Sequence, residues 1–324
     1  MKKIHLILLI LLGGLFLISL SSGASSLSVW KILFQKASAA ESSIFCQIRI
    51  PRTLLAIMVG VTLGLSGAAM QGLLRNPLAD SGLLGISGGA VLGAMAALYS
   101  GLTSWGIWLL PAGGFLGALA AAGLILIFCM RRTSLLGLIL AGTALNTLFF
   151  ALGSLLLNFS KNPYAVLEII YWQMGSFENR TLEQVGAAAP WMILGWVLLF
   201  RTLPALQLLT LGEDTARASG ISMPKTLRLV VLGTALSVGA AVSICGSISF
   251  VGLLIPHLMR PFVKHDPGKL LSVSALAGGI FMLLADWLCH VVNTGVELKI
   301  GVLTALLGAP FFIYLAFQNK SKIL

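Results

Sequence analysis

Thr53–Leu73 reads TLLAIMVGVTLGLSGAAMQGL, twenty-one residues without a formal charge. At 1.5 Å per residue, a helix of this length spans about 31 Å, the thickness of a bilayer's hydrocarbon core. Inside lipid every backbone polar group needs an internal partner, so a single such run can only be a helix. Working outward, comparable apolar runs occur near 4–20, 82–99, 105–130, 134–157, 185–204, 229–247, 270–291 and 300–318. A shorter run at 248–262 is broken by Pro256 and Pro261. Counting it, the expectation is an all-α polytopic membrane protein of about ten transmembrane helices, forming a single transmembrane domain over 1–324.

Composition agrees with that solvent. Of the 324 residues, 58% are apolar and 10% charged, against about 25% charged in soluble domains. A disordered chain would be polar instead. The net charge of +11 suggests nucleic acid at first, but the basic residues sit in short clusters between apolar runs, as loop residues of a membrane protein do. Cys46, Cys129, Cys245 and Cys289 show no C-x-x-C spacing and read as small buried hydrophobes; a Cys46–Cys289 disulfide has no support beyond both lying near the outer face. Lys2-Lys3 followed by the run to Leu20 reads as an uncleaved first helix, although a signal peptide has the same form.

The loops set the orientation. The N-terminus, Arg75, Arg131-Arg132, the 201–228 and 260–269 connections and the C-terminus hold fourteen Lys/Arg, and the opposite loops seven. Basic residues accumulate on the cytoplasmic side, so both termini are expected inside.

Motifs are few. Gly85, Gly89 and Gly93, Gly60 and Gly64, and Gly113 and Gly117 recur every four residues, marking helix faces suited to close packing. There is no phosphate-binding G-x-x-x-x-G-K-[ST] and no H-E-x-x-H, and His5, His257, His265 and His290 are scattered; neither a nucleotide site nor a metal site is expected. Gly85-Ile86-Ser87-Gly88-Gly89 matches the nucleophile-elbow pattern, yet it lies in a membrane span, so Ser87 reads as part of a packing face and no catalytic residue is assigned. An ion-driven transporter needs acids in the bilayer core. Here the clear one is Asp286, four residues before His290 and placed to pair with it. Gln71 and Asn146 are the other notable intramembrane polar groups, low-specificity candidates for the pathway. So ion-poor an interior points to energy supplied by a partner.

Two loop segments stand out. QIRIPR (47–52) places Arg49 and Arg52 three apart at the outer rim. LGEDTARASG (211–220) reads as a short amphipathic surface helix, with Glu213 and Asp214 in its first turn, Arg217 later and Gly220 as its cap.

At these residues the chain resembles the iron-siderophore, haem and cobalamin permeases of type II ABC importers, the FecCD family. The similarity is carried by RIPRTLLAIMVG (49–60), LSGAAMQGLLRNPLAD (65–80), LLGISGGAVLGA (83–94), LGEDTARASG (211–220), FVGLLIPHLMR (250–260), LLADWL (283–288) and GVLTALLGAPFFIYL (301–315). The resemblance implies ten helices per subunit, a dimer with a second copy or a paralogue, two separate ATPase subunits that hold ATP and magnesium, an extracytoplasmic substrate-binding protein and a bacterial inner-membrane location. It implies no cofactor on this chain. Arg49, Arg52 and the position of His290 would meet acidic residues of the binding protein. Leu211, Gly212, Glu213, Ala216, Arg217 and Gly220 would seat in the ATPase. Asn76, Pro77 and Leu78 would lie near the inner gate, and Pro256 and His257 near the cytoplasmic end of the broken span. Three positions depart from the family pattern: His290 where arginine is common, and Ser81 and Lys299 where proline is common. Ferric siderophore is the expected cargo, with haem or cobalamin as the alternative.

Overall fold

The computed structural model describes residues 2–22, 38–101, 106–129, 135–160, 162–291 and 298–320. Among them there are helices, turns and bends but no strands. Ten apolar helices among the described residues are α1 (Lys2–Ser21), α2 (Ile50–Leu74), α3 (Ile86–Tyr99), α4 (Leu109–Cys129), α5 (Leu135–Asn158), α6 (Leu182–Phe200), α7 (Met223–Cys245), α8 (Val251–Met259), α9 (Pro267–Val291) and α10 (Ile300–Lys320). Among the described residues, seven helical segments, those containing α1, α2, α4–α7 and α9, are long and apolar enough to cross a membrane. α3 is a shorter apolar helix. α8, nine residues long, covers only about 13 Å and is the broken span.

Local chemistry sets the helix ends. Ser38 and Glu41 form a capping box for a short lead-in helix, Ala39–Ile44. One π-helical turn, Phe45–Arg49, joins it to α2, whose second residue is Pro51; the helical run is continuous over Ala39–Leu74, so the proline removes one backbone donor next to the π turn. α2 stops at Arg75, which adopts a left-handed conformation with φ 48°. α6 starts with the Thr181–Gln184 capping box and ends at Phe200, earlier than the apolar run suggests. A separate helix, Leu203–Leu209, follows with Pro204 in its first turn.

α2 is the axis of the bundle. It packs along α9 and is also touched by α8, α7, α6 and α1, so nearly all of its inward positions are buried. α1, α4 and α5 lie outside and expose leucine, isoleucine and phenylalanine to the surroundings. In water such a surface would aggregate; in lipid it is the expected exterior.

Small residues let the axes approach. A Cβ on Gly60 would lie 2.2 Å from the Gly278 carbonyl oxygen, and one on Gly64 2.2 Å from that of Ser274, so α2 and α9 meet backbone to backbone. Gly89 and Gly93 of α3 interlock in the same way with Gly117 and Gly113 of α4. Gly85 does not share that face. It sits before α3 at φ 69°, where glycine meets little resistance and other residues strain, and it turns a 3-10 segment (Ser81–Leu84) into the helix.

Candidate functional site

Three regions gather the polar groups: the N-terminal end of α2, a cavity beside α3 and α5, and the surface formed by the 201–228 and 260–269 connections.

At the N-terminal end of α2, Arg49, Arg52 and His290 line one cavity of about 410 Å³ together with Asp286, Trp287 and Ser19. The two arginines are not free rim charges. Arg49 is buried, 6% exposed, and its Nη1 donates to the Leu20 carbonyl at the end of α1, 2.8 Å. Arg52 is bidentate on Asp286: Nε donates to Oδ1 at 3.0 Å and Oδ2 at 3.1 Å, and Nη2 lies 2.9 Å from Oδ1. Asp286 is 3% exposed. The same-helix pairing of Asp286 with His290 is therefore corrected: the carboxylate serves Arg52 across the α2–α9 contact, and His290 Nδ1 lies 3.2 Å from the Asp286 carbonyl oxygen instead. A buried carboxylate needs a full positive partner, and a guanidinium fork supplies two donors in one plane. Lys299 Nζ pairs with Glu178, 3.1 Å, so its charge is met locally rather than added to the rim. No disulfide joins Cys46 and Cys289.

A cavity of about 640 Å³ opens between α3 and α5 and reaches the 247–249 segment ahead of α8. Asn146, Ser87, Gln173, Ser247 and Ser249 supply amide and hydroxyl groups, and Met95, Phe149 and Phe150 apolar surface. Asn146 fits because residue 88 is glycine: a Cβ there would lie 2.3 Å from the amide oxygen. Ser87 occupies the first turn of α3 with no strand before it, so the strand-turn-helix of a nucleophile elbow is not formed. Gln71 lies elsewhere. It is buried against α8, donating to the Leu253 carbonyl and accepting from Arg260.

Asp80 also lines this cavity, and nothing in the sequence drew attention to it beyond the motif containing it. Its Oδ1 accepts from the Ser81 amide at 2.7 Å and rests where a side chain on Gly252 of α8 would otherwise stand. Burial raises its carboxyl above the usual range, against the lowering effect of the Ser81 and Gly82 hydrogen bonds. Just before it, Asn76 Oδ1 accepts from the Leu78 amide, 2.9 Å. Asn76 and Pro77 are thus held in a tight turn after α2 with Leu78 exposed.

In the 201–228 connection, Glu213–Ala218 forms a helix with Ala216 buried beneath it. Arg217 and Glu213 pair at 2.6 Å, the i, i+4 spacing that steadies an exposed turn. Gly212 (φ 107°) leads in, Ser219 caps one residue earlier than the cap assigned from sequence, and Gly220 (φ 85°) turns the chain away just after it. Leu211 stands exposed. In the neighbouring 260–269 connection, Asp266 is held below the usual carboxylate range: burial would raise it, but hydrogen bonds from Lys269 and Gln207 and the Lys269 charge outweigh that.

A broken helix beside a large amide- and hydroxyl-lined cavity within an apolar bundle is the architecture of a membrane permease. The chain belongs to the FecCD transport family, which it matches over residues 7–318. It is 38% identical to the vitamin B12 import system permease protein BtuC of Klebsiella pneumoniae, over 97% of this chain and 93% of that protein. It is 40% identical to BtuC of Salmonella typhi, over 84% and 83%. The fold matches a solved chain described as an inward-facing conformation of a candidate metal-chelate type ABC transporter, with a TM-score of 0.89 and 35% identity over 98% of this chain and 100% of that one. A more distant likeness, to PsaBC of Streptococcus pneumoniae (TM-score 0.53, 18% identity), speaks for the fold alone.

Proposed function

We propose that this chain is the membrane-spanning subunit of an ATP-driven bacterial importer in the inner membrane, with both termini cytoplasmic, and that its cargo is a metal chelate of the cobalamin class. Ferric siderophore, the cargo expected from sequence, has less behind it. The observation that carries the reading is the similarity to vitamin B12 permeases along nearly the whole chain. The cavity supports it: its lining amides and hydroxyls suit an amide-rich, bulky solute, and few charges there would hold it back. ATP hydrolysis belongs to separate subunits that grip Leu211–Gly220. A second permease copy or a paralogue completes the path, and an extracytoplasmic binding protein delivers the cargo. Docking of that protein on Arg49, Arg52 and His290 requires Arg52 to exchange Asp286 for an acidic residue of the partner.

The test is uptake by proteoliposomes containing this chain, its ATPase and its binding protein, with labelled cobalamin and labelled ferric siderophore offered separately. ATP-dependent accumulation of cobalamin alone is the expected result. Accumulation of the siderophore alone would overturn the cargo, and accumulation by this chain without an ATPase would overturn the class.

A further inference from the structure

The surface helix Glu213–Ala218 packs chiefly on the Leu203–Leu209 helix, so force applied there reaches the spans through that second helix as well as along the short link to α7. It stands on two contacts. The first is Leu206, fully buried, which lies against Gly72 at the inner end of α2; a Cβ on Gly72 would come within 3.3 Å of it. The second is Gln207, laid directly over Gly268 in the first turn of α9, where a Cβ would lie 2.6 Å from the Gln207 Nε2.

The second contact is chemically fastened. Gln207 Nε2 donates to Asp266 Oδ1, 3.2 Å. That oxygen also accepts from the Gly268 amide (3.0 Å) and the Lys269 amide (3.2 Å), the first free donors of α9. Asp266 Oδ2 pairs with the Lys269 ammonium at 2.9 Å. The carboxylate is thereby fixed to the end of α9, so a pull on Asp266 is a pull on the whole helix. α9 in turn meets α2 through backbone contacts at Gly60 and Gly64 that leave no room to slide.

We propose that Gln207 is a positioning residue that transmits movement of the inner surface helix to α9 through Asp266 and Gly268. A purely apolar contact such as Leu206 on Gly72 can slip, whereas a directional amide–carboxylate bond seated over a glycine carries motion in both directions. The inference rests on the reading above, in which an ATPase acts on Leu211–Gly220.

The experiment uses the complete reconstituted transporter and measures cobalamin delivered per ATP hydrolysed, with the amount of assembled complex and its melting temperature recorded alongside. Gln207→Leu, which keeps bulk but removes the donor, is expected to lower cargo per ATP about five-fold, within the range by which coupling residues act, at unchanged assembly. Gly268→Ala, which displaces the same side chain, is expected to do likewise, and the double variant to be no worse than either single one, as contacting residues behave. Asp266→Asn keeps an acceptor for Gln207 and is expected to retain most of the coupling. Wild-type cargo per ATP in Gln207→Leu, or additive losses in the double variant, would overturn the proposal while leaving the importer reading intact. Should Gln207→Leu fail to assemble, Gly268→Ala reads the same contact. Transport by the unaltered complex that ignores ATP would instead sink the underlying reading.

Discussion

Asp286 lies near the C-terminal end of α9 with almost none of its surface exposed, and Arg52 meets it with a two-pronged guanidinium. Removing one partner of such a pair strands the other charge without water, which costs about 3–5 kcal/mol. Asp286→Ala is thus expected to lower the thermal stability of the detergent-solubilised protein sharply, and Arg52→Met combined with Asp286→Leu to recover most of the loss. A single Asp286→Ala variant that melts with the wild type would show the pair to be idle. Sequence places Asp286 in the membrane and Arg52 at the outer rim, but their bond joins residues 234 apart along the chain. The spacing of four to His290 offers a nearer partner on the same helix, and local periodicity cannot see the cross-helix contact that wins. Asp80 is the converse case. It ends a motif in a connecting loop, where an acid needs no explanation, and only the fold brings it against Gly252 and into the cavity.

At the scale of helices, the contact of α2 with α9 is set by what is missing from their side chains. Gly60→Val would drive carbon into the Gly278 carbonyl, since even a Cβ comes within 2.2 Å of it. The expected result is loss of folded protein on size-exclusion chromatography. Gly123 of α4 has nothing within 4 Å of an added Cβ, so Gly123→Ala is expected to leave folding intact or to improve it slightly, by up to about 1 kcal/mol. Equal tolerance at both positions would refute the close approach. The four-residue glycine spacings are visible in sequence because helix faces repeat on that period, and the apolar runs are visible because lipid demands length. The Leu203–Leu209 helix is not. It follows α6 with similar leucines, and its separation rests on Thr202 and Pro204 rather than on any change in hydropathy. Gln207 hides for the same reason, a single amide in an apolar stretch whose partner lies 59 residues on.

For the whole molecule, the distribution of basic residues assigns a direction, and two positions test it together. Cys46 is an exposed free thiol in the π-helical turn before α2, on the side with seven Lys/Arg. Thr215 is exposed on the Glu213–Ala218 helix, on the side with fourteen. Cys245 and Cys289 are buried and are expected to react slowly. In intact cells a membrane-impermeant maleimide should label the protein at Cys46, and Cys46→Ser should remove that label. Thr215→Cys placed in the Cys46→Ser background should stay unlabelled until the membrane is opened, because the cytoplasmic side carries the basic excess. An ATPase seated on the Glu213–Ala218 helix would then shield Thr215→Cys in the assembled complex and expose it when stripped away. Labelling of Thr215→Cys in intact cells would invert the molecule, and with it the side from which an engine can push. Labelling that is the same with and without the ATPase would leave the orientation standing but detach the partner from this helix.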